Sequence, residues 1–148
     1  MLMEMPCHAT AARKATRRLT QLYDDALAPS GLRSTQVAIL AELDLRAGTP
    51  PTMRELAEAL VMDRSSLGHT LRPLERDGLI AFEQSTEDRR RQHVTLTRAG
   101  KAKFREATRL WATAQKRFED VFGEPQAAKL RATLMSIAHD DRLARLKD

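Results

Sequence analysis

The chain has 148 residues, 42% of them hydrophobic and 30% charged, with a formal net charge of +5 and only 4% aromatics. That length suits one domain or two small lobes with a real core. Apolar residues recur along almost the whole chain, which excludes a disordered segment. The single cysteine, Cys7, excludes an intrachain disulfide framework and fits a reducing compartment. No run of about eighteen apolar residues exists to cross a membrane, and Met1 to Pro6 is too short and interrupted for a signal peptide's apolar core. The expected location is the cytoplasm, and the excess of Lys and Arg points to a polyanionic partner.

A first helix is expected from about His8 to Ala28, with Ala12, Ala15, Leu19, Leu22, Tyr23 and Ala26 forming one stripe and Arg13, Arg17 and Asp24 opposite. Pro29, Ser30 and Gly31 stop it. A second helix follows from Ser34 or Thr35 to Arg46, with Val37, Leu40, Ala41 and Leu45 turned inward. Thr52 and Glu55 make a T-x-x-E capping box at the head of a short third helix, whose inner residues are Met53, Leu56, Ala57 and Leu60. Asp63 can cap a fourth helix ending near Asp77, with Gly78 as its stop. Leu67, Leu71 and Leu74 point inward there. At about 100° per residue, Ser65, His69, Arg72 and Arg76 make an outward polar, cationic stripe. Gly68 weakens this helix and Pro73 removes the bond to the His69 carbonyl.

The period then changes. Leu79–Glu83 and Gln92–Leu96 are β-prone, and the stretch between them ends in Asp88, Arg89, Arg90 and Arg91, so a two-stranded hairpin with a charged tip is expected. Thr97 caps a long helix to about Val121, in which Phe104, Ala107, Trp111, Ala114, Phe118 and Val121 alternate three-four like a coiled-coil seam. Gly123 and Pro125 punctuate, and a last helix carries Ala127, Leu130, Leu134 and Ile137. The fold class is therefore mainly α with a small β-hairpin.

Short helices, then a helix with a cationic outer stripe, then a hairpin tipped by three arginines have a mechanical meaning. A helix fits the major groove of B-form DNA, where Ser, His and Arg reach base edges. An arginine on a hairpin tip suits the narrow, negative minor groove. Charge runs are usually only solvated faces, but this one is concentrated: between Thr86 and Arg105 seven Lys or Arg stand against two acids. The candidate DNA-contacting residues are Arg64, Ser65, Ser66, Gly68, His69, Arg72, Asp88, Arg89, Arg90 and Arg91.

These segments resemble the MarR family of winged helix-turn-helix regulators. The likeness rests on Leu32-Arg33-Ser34-Thr35-Gln36, on Leu56-Ala57-Glu58-Ala59-Leu60, and on Met62-Asp63-Arg64-Ser65-Ser66-Leu67 followed by Leu71 to Ile80. Its most diagnostic piece is Asp88-Arg89-Arg90-Arg91 running into Val94-Thr95-Leu96-Thr97-Arg98-Ala99-Gly100, similar to the family's D-x-R wing and L-T-x-x-G. The resemblance implies one MarR-like domain over residues 1–148, with a winged lobe at 32–97 between helical dimerisation segments at 8–30 and 98–148. It implies a homodimer on a pseudo-palindromic operator, with Arg90 in the minor groove and Asp88 holding it. It further implies a repressor released by a small aromatic or anionic effector, for which Arg17, Tyr23 and Trp111 are candidate pocket walls. Gly68-His69 stands where the family usually has Thr or Ser followed by Arg, a departure that bears on the target sequence and not on the binding mode.

Two alternatives stay open. Some family members sense peroxide through a cysteine near the start of the first helix, which Cys7 matches, though their sulfur lies among tyrosines and this chain has only Tyr23. A winged helix can also serve as a protein-interaction module without DNA. His8, His69, His93 and His139 show no metal-ligand spacing, no cofactor motif appears, and no P-loop, G-x-G-x-x-G, nucleophile elbow or H-E-x-x-H is present. An enzyme is not expected.

Overall fold

The computed structural model describes residues 6–144 and 146, so Met1 to Met5, weighed above as a leader, lie outside it. Six helices and one hairpin follow in the order α1 (His8–Leu27), α2 (Ser34–Leu45), α3 (Met53–Leu60), α4 (Arg64–Arg76), β1 (Ile80–Gln84), β2 (Gln92–Leu96), α5 (Arg98–Phe122) and α6 (Glu124–Ala138). Short 3-10 turns follow α1 at Ala28–Ser30 and α6 at Asp141–Leu143. Among the described residues no helix is long and apolar enough to cross a membrane.

Local chemistry sets the boundaries. The Thr52 hydroxyl accepts from the Glu55 amide at 3.2 Å and donates to the Glu55 carboxylate at 3.0 Å, so the box closes side chain to side chain. Asp63 accepts from the Ser66 amide at 2.9 Å and so starts α4. Gly78, at φ +73°, ends α4 in the left-handed region that glycine enters freely. The start of α2 is capped from another helix: the Asp24 carboxylate accepts from the Ser34 amide at 2.7 Å. Asp24 therefore belongs to a half-buried junction and not to the solvated face of α1.

The strands pair antiparallel with Ile80 opposite Leu96 and Gln84 opposite Gln92, one residue later in the first strand than expected. The segment before α3 joins them: Val94 donates to the Pro51 carbonyl at 2.8 Å, and His93 Nδ1 lies 2.9 Å from the Pro50 carbonyl. That third run escapes a sequence reading because two prolines head it.

The core is one cluster in the winged lobe. Leu40 and Leu43 of α2, Leu56 of α3, Leu67, Leu71 and Leu74 of α4, Ile80 of β1 and Val94 of β2 meet Leu27 of α1 and Ala107 of α5. One expectation about α2 fails, that for Leu45, and two residues outside the expected set join the core. Ile39 and Leu43 are buried, whereas Leu45 is 81% exposed. The helix is sandwiched, so a single apolar stripe does not describe it. Outside the lobe the chain has little core of its own. On the α5 seam only Ala107 and Ala114 are buried, while Val121 is 79% exposed and Phe122, Leu134, Met135 and Ile137 also face outward.

Candidate nucleic-acid interface

Helix α4 turns Leu67, Leu71 and Leu74 into the core and leaves Arg64, Ser65, Ser66, His69 and Arg72 exposed. Gly68 is half-buried, with nothing within 4 Å of where a Cβ would stand. The stripe read from the sequence is thus the free face of this helix. Its members are not equally free. The Ser66 hydroxyl donates to Asp63 Oδ1 at 2.6 Å and works in the cap. Arg76 lies 3.6 Å from Asp77.

The hairpin tip is shaped by its own polar groups. Ser85 Oγ accepts from the amides of Glu87 and Asp88, and the Asp88 carboxylate accepts from the Arg90 amide at 3.0 Å. The Ser85 amide donates to the Arg91 carbonyl at 2.9 Å and closes the loop. Asp88 also lies 3.8 Å from Arg90 Nε, yet that guanidinium is 95% exposed. Such a pair is worth about 0–1 kcal/mol, so Asp88 acts on Arg90 mainly through the backbone. Arg64, Arg72, Arg89 and Arg91 make no ion pair among the described residues.

The wing and the start of α4 come together. Arg64 of α4 and Arg89, Arg90 and Arg91 of the tip line one open cavity of about 540 Å³, with Arg54 of α3 also in its lining. Arg54 was not anticipated. The signal available was its place in the first turn of α3, directly after the cap.

The helical base holds the candidate pocket residues. Tyr23 packs at 6.5 Å from the Trp111 ring, and its hydroxyl donates to Gln115, whose amide donates to Glu119 at 3.1 Å. Burial, reinforced by the Glu119 charge and opposed by Arg131, raises the Tyr23 phenol above its ordinary range. Tyr23, Leu19, Phe118, Leu130 and Arg131 line a cavity of about 160 Å³. Trp111, which packs on Tyr23, and Arg17 are not part of that lining. A larger groove, about 950 Å³, separates the end of α6 from the α3–α4 turn, with Val61, Met62, Ile137, His139 and Leu143 on its sides.

Cys7 is half-buried at the head of α1, and a hydrogen bond with Thr10 holds its thiol below the ordinary value. Tyr23 lies sixteen residues further along the same helix, which is roughly 24 Å at 1.5 Å per residue. Within one chain the phenol cannot attend the sulfur. Among the described residues no group of three or more His, Cys, Asp or Glu is placed to hold a metal ion. His139, Asp140 and Asp141 form a polar helix end, where Asp140 pairs with Arg142 at 2.7 Å.

The MarR family model matches residues 32–91, the winged lobe without α1, α5 and α6. No curated protein matches the chain. Among solved structures, the transcriptional regulator MosR of M. tuberculosis in complex with DNA is 32% identical, covers 95% of this chain and 99% of its own, and superposes with a TM-score of 0.82. A second structure of MosR is 34% identical over 90% of this chain and 96% of its own, with a TM-score of 0.76. The transcriptional repressor CouR bound to a 23-mer DNA duplex is 26% identical over 94% of this chain and all of its own, with a TM-score of 0.81. The family model fits the lobe, and relatives as similar as these span the helical base as well; the chain belongs to the MarR family of winged helix-turn-helix transcriptional regulators.

Proposed function

We propose that the protein is a homodimeric, sequence-specific DNA-binding repressor that a small molecule releases from its operator. The observation that carries the reading is the convergence of Arg64 with Arg89, Arg90 and Arg91 beside the free face of α4. A helix for the major groove and an arginine for the neighbouring minor groove thereby lie side by side. In this reading Ser65, His69 and Arg72 face base edges, Gly68 lets the helix approach closely, Arg64, Arg89 and Arg91 meet phosphates, and Arg90 enters the minor groove. Ser66 and Asp88 serve by shaping the cap and the tip. The DNA complexes of MosR and CouR support it.

Dimerisation follows from the missing core. Val121, Phe122, Leu134, Met135 and Ile137 are exposed in the stretch beyond Ala107, where among the described residues only Ala114 and Ala127 are buried. A lone subunit leaves that surface in water, where burial is worth about 25 cal/mol per Å². Residues 8–30 and 98–148 are therefore the dimerisation segments and 32–97 the DNA-binding lobe. Two such lobes about 34 Å apart read half-sites one turn apart on a pseudo-palindrome. An aromatic or anionic effector between base and lobe acts by favouring a lobe spacing that misfits the operator.

The test is fluorescence anisotropy on a duplex covering the promoter of its own gene, at several salt concentrations. If a dimer neutralises about eight phosphates, log affinity falls with log salt at a slope near −7. Arg90→Ala should lose more affinity than Arg89→Ala. Binding indifferent to salt, or unchanged in Arg90→Ala, would refute the reading. A thermal-shift screen of carboxylates, phenolics and acyl thioesters then seeks the effector, since a ligand of the native state raises stability by mass action.

A further inference from the structure

The cavity between α3 and the wing has more arginine than the two DNA-reading elements need. Five guanidinium groups border it, from Arg54, Arg64, Arg89, Arg90 and Arg91, against the two carboxylates of Glu55 and Glu58. Both carboxylates are engaged: Glu55 accepts from the Thr52 hydroxyl at 3.0 Å, and Glu58 holds Arg54 at 3.0 Å. Arg64, Arg89 and Arg91 have no ion pair among the described residues. Like charges gathered around one cavity repel, and a linear polyanion laid along it reverses that sign.

Position says which polyanion. In a duplex, the sugar-phosphate strand is what separates a major groove from the adjacent minor groove. An element lying in the first and an arginine lying in the second must therefore have that strand between them. Here the cavity opens between α3 and the wing tip, and Arg64, the first residue of α4, is the residue of that helix in its lining.

We propose that this trough seats the intervening phosphodiester strand and that Arg54, on neither reading element, is a phosphate contact within it. The proposal rests on the DNA-binding reading above. Arg54 is 86% exposed and held only by its i,i+4 partner Glu58, so the guanidinium can leave that carboxylate for a phosphate. Glu58 is a positioning residue that keeps Arg54 near the trough when DNA is absent. The contact adds affinity without sequence preference, because phosphates carry no sequence information directly.

Anisotropy with the full chain tests this on two duplexes of equal length, the promoter duplex and one of random sequence. One lost phosphate contact per protomer lowers the salt slope by about 0.9, hence by about 1.8 in a dimer. Arg54→Ala should show that change and weaken both duplexes alike, about thirtyfold at 0.15 M salt by the same relation. Arg54→Lys should recover the slope, and Glu58→Gln should tighten both duplexes. Circular dichroism checks that each variant is folded. A wild-type slope and affinity in Arg54→Ala overturns the trough while leaving the DNA reading intact. A loss confined to the promoter duplex overturns it too, since Arg54 would then read bases. Wild-type protein without salt-dependent binding overturns both. Thermal stabilisation by pyrophosphate that Arg54→Ala abolishes, with its DNA slope unchanged, would assign the trough to a free phosphoanion and refute the proposal.

Discussion

Gly100 is the position where one added methyl group should do most damage. It is buried in the first turn of α5, where its amide donates to the capping Thr97 hydroxyl at 3.0 Å. A Cβ there would stand 2.0 Å from the Leu79 carbonyl oxygen, 3.0 Å from the Leu79 carbonyl carbon and 2.7 Å from Leu96 Cδ1. Ordinary carbon–oxygen approaches are about 3.3–3.6 Å, so the start of α5 must retreat by more than an ångström. The Leu79 carbonyl cannot yield instead, because it accepts from the Thr97 amide at 3.1 Å and leads directly into β1. Retreat also stretches the 2.6 Å bond from the Thr97 hydroxyl to the Gly78 carbonyl. Overpacking costs about 1–3 kcal/mol, and two weakened hydrogen bonds add about 1 kcal/mol each. Gly100→Ala should therefore lose about 3–5 kcal/mol, a large part of the ~5–15 kcal/mol of a typical domain. Urea and thermal unfolding followed by circular dichroism, at one protomer concentration, measure it; at about 2–4 °C per kcal/mol the Tm falls by roughly 10 °C. Gly68 supplies the opposite case. It is also helical, nothing within 4 Å would meet a Cβ, and Gly68→Ala should raise stability by about 0.4–1 kcal/mol. A Gly100→Ala protein with the wild-type urea midpoint would refute the steric reasoning.

Val61 holds φ +53° at the α3–α4 turn, and it is exposed. A left-handed non-glycine residue costs about 1–2 kcal/mol, so Val61→Gly should gain up to ~1 kcal/mol after glycine's own chain entropy, read as a higher urea midpoint. Tyr23 is the only tyrosine, so absorbance titration in alkali reports it alone. Its midpoint should lie above that of a free phenol because of burial, move down in Glu119→Gln and up in Arg131→Ala. Asp63 is held below the ordinary carboxyl value first by the Ser66 hydroxyl and then by the Ser66 amide. Its folded value is depressed, so its contribution is present above the unfolded pKa and drains as pH falls through the lower folded one. Amide exchange at the start of α4 should accelerate over that acid interval, and Asp63→Asn should remove the pH dependence.

What could be read from residues alone follows from short-range physics. Caps and stops depend on neighbours a few positions apart, so Thr52, Asp63, Thr97 and Gly78 mark the helix ends directly in the sequence. The stripe Leu67, Leu71 and Leu74 likewise tells which face of α4 is inward, and so leaves Ser65, His69 and Arg72 outward. The alternation after Gly78 gives the hairpin, and Asp88 with three arginines gives its tip.

Whatever depends on two distant segments meeting was beyond that reach. Leu45 looks like a core residue by spacing and is exposed, because it is the last residue of α2 and lies beyond the buried set that ends at Leu43. Asp24 looks solvated on its own helix and in fact caps another. Arg17 shares a helix with Tyr23 without sharing its cavity, and Arg54 joins the wing arginines across a space that no period in the sequence encodes. Local order is written in the chain because its hydrogen bonds span three or four residues. The trough, the Tyr23 cavity and the exposed base exist only once helices far apart in sequence have packed, because each wall comes from a different element.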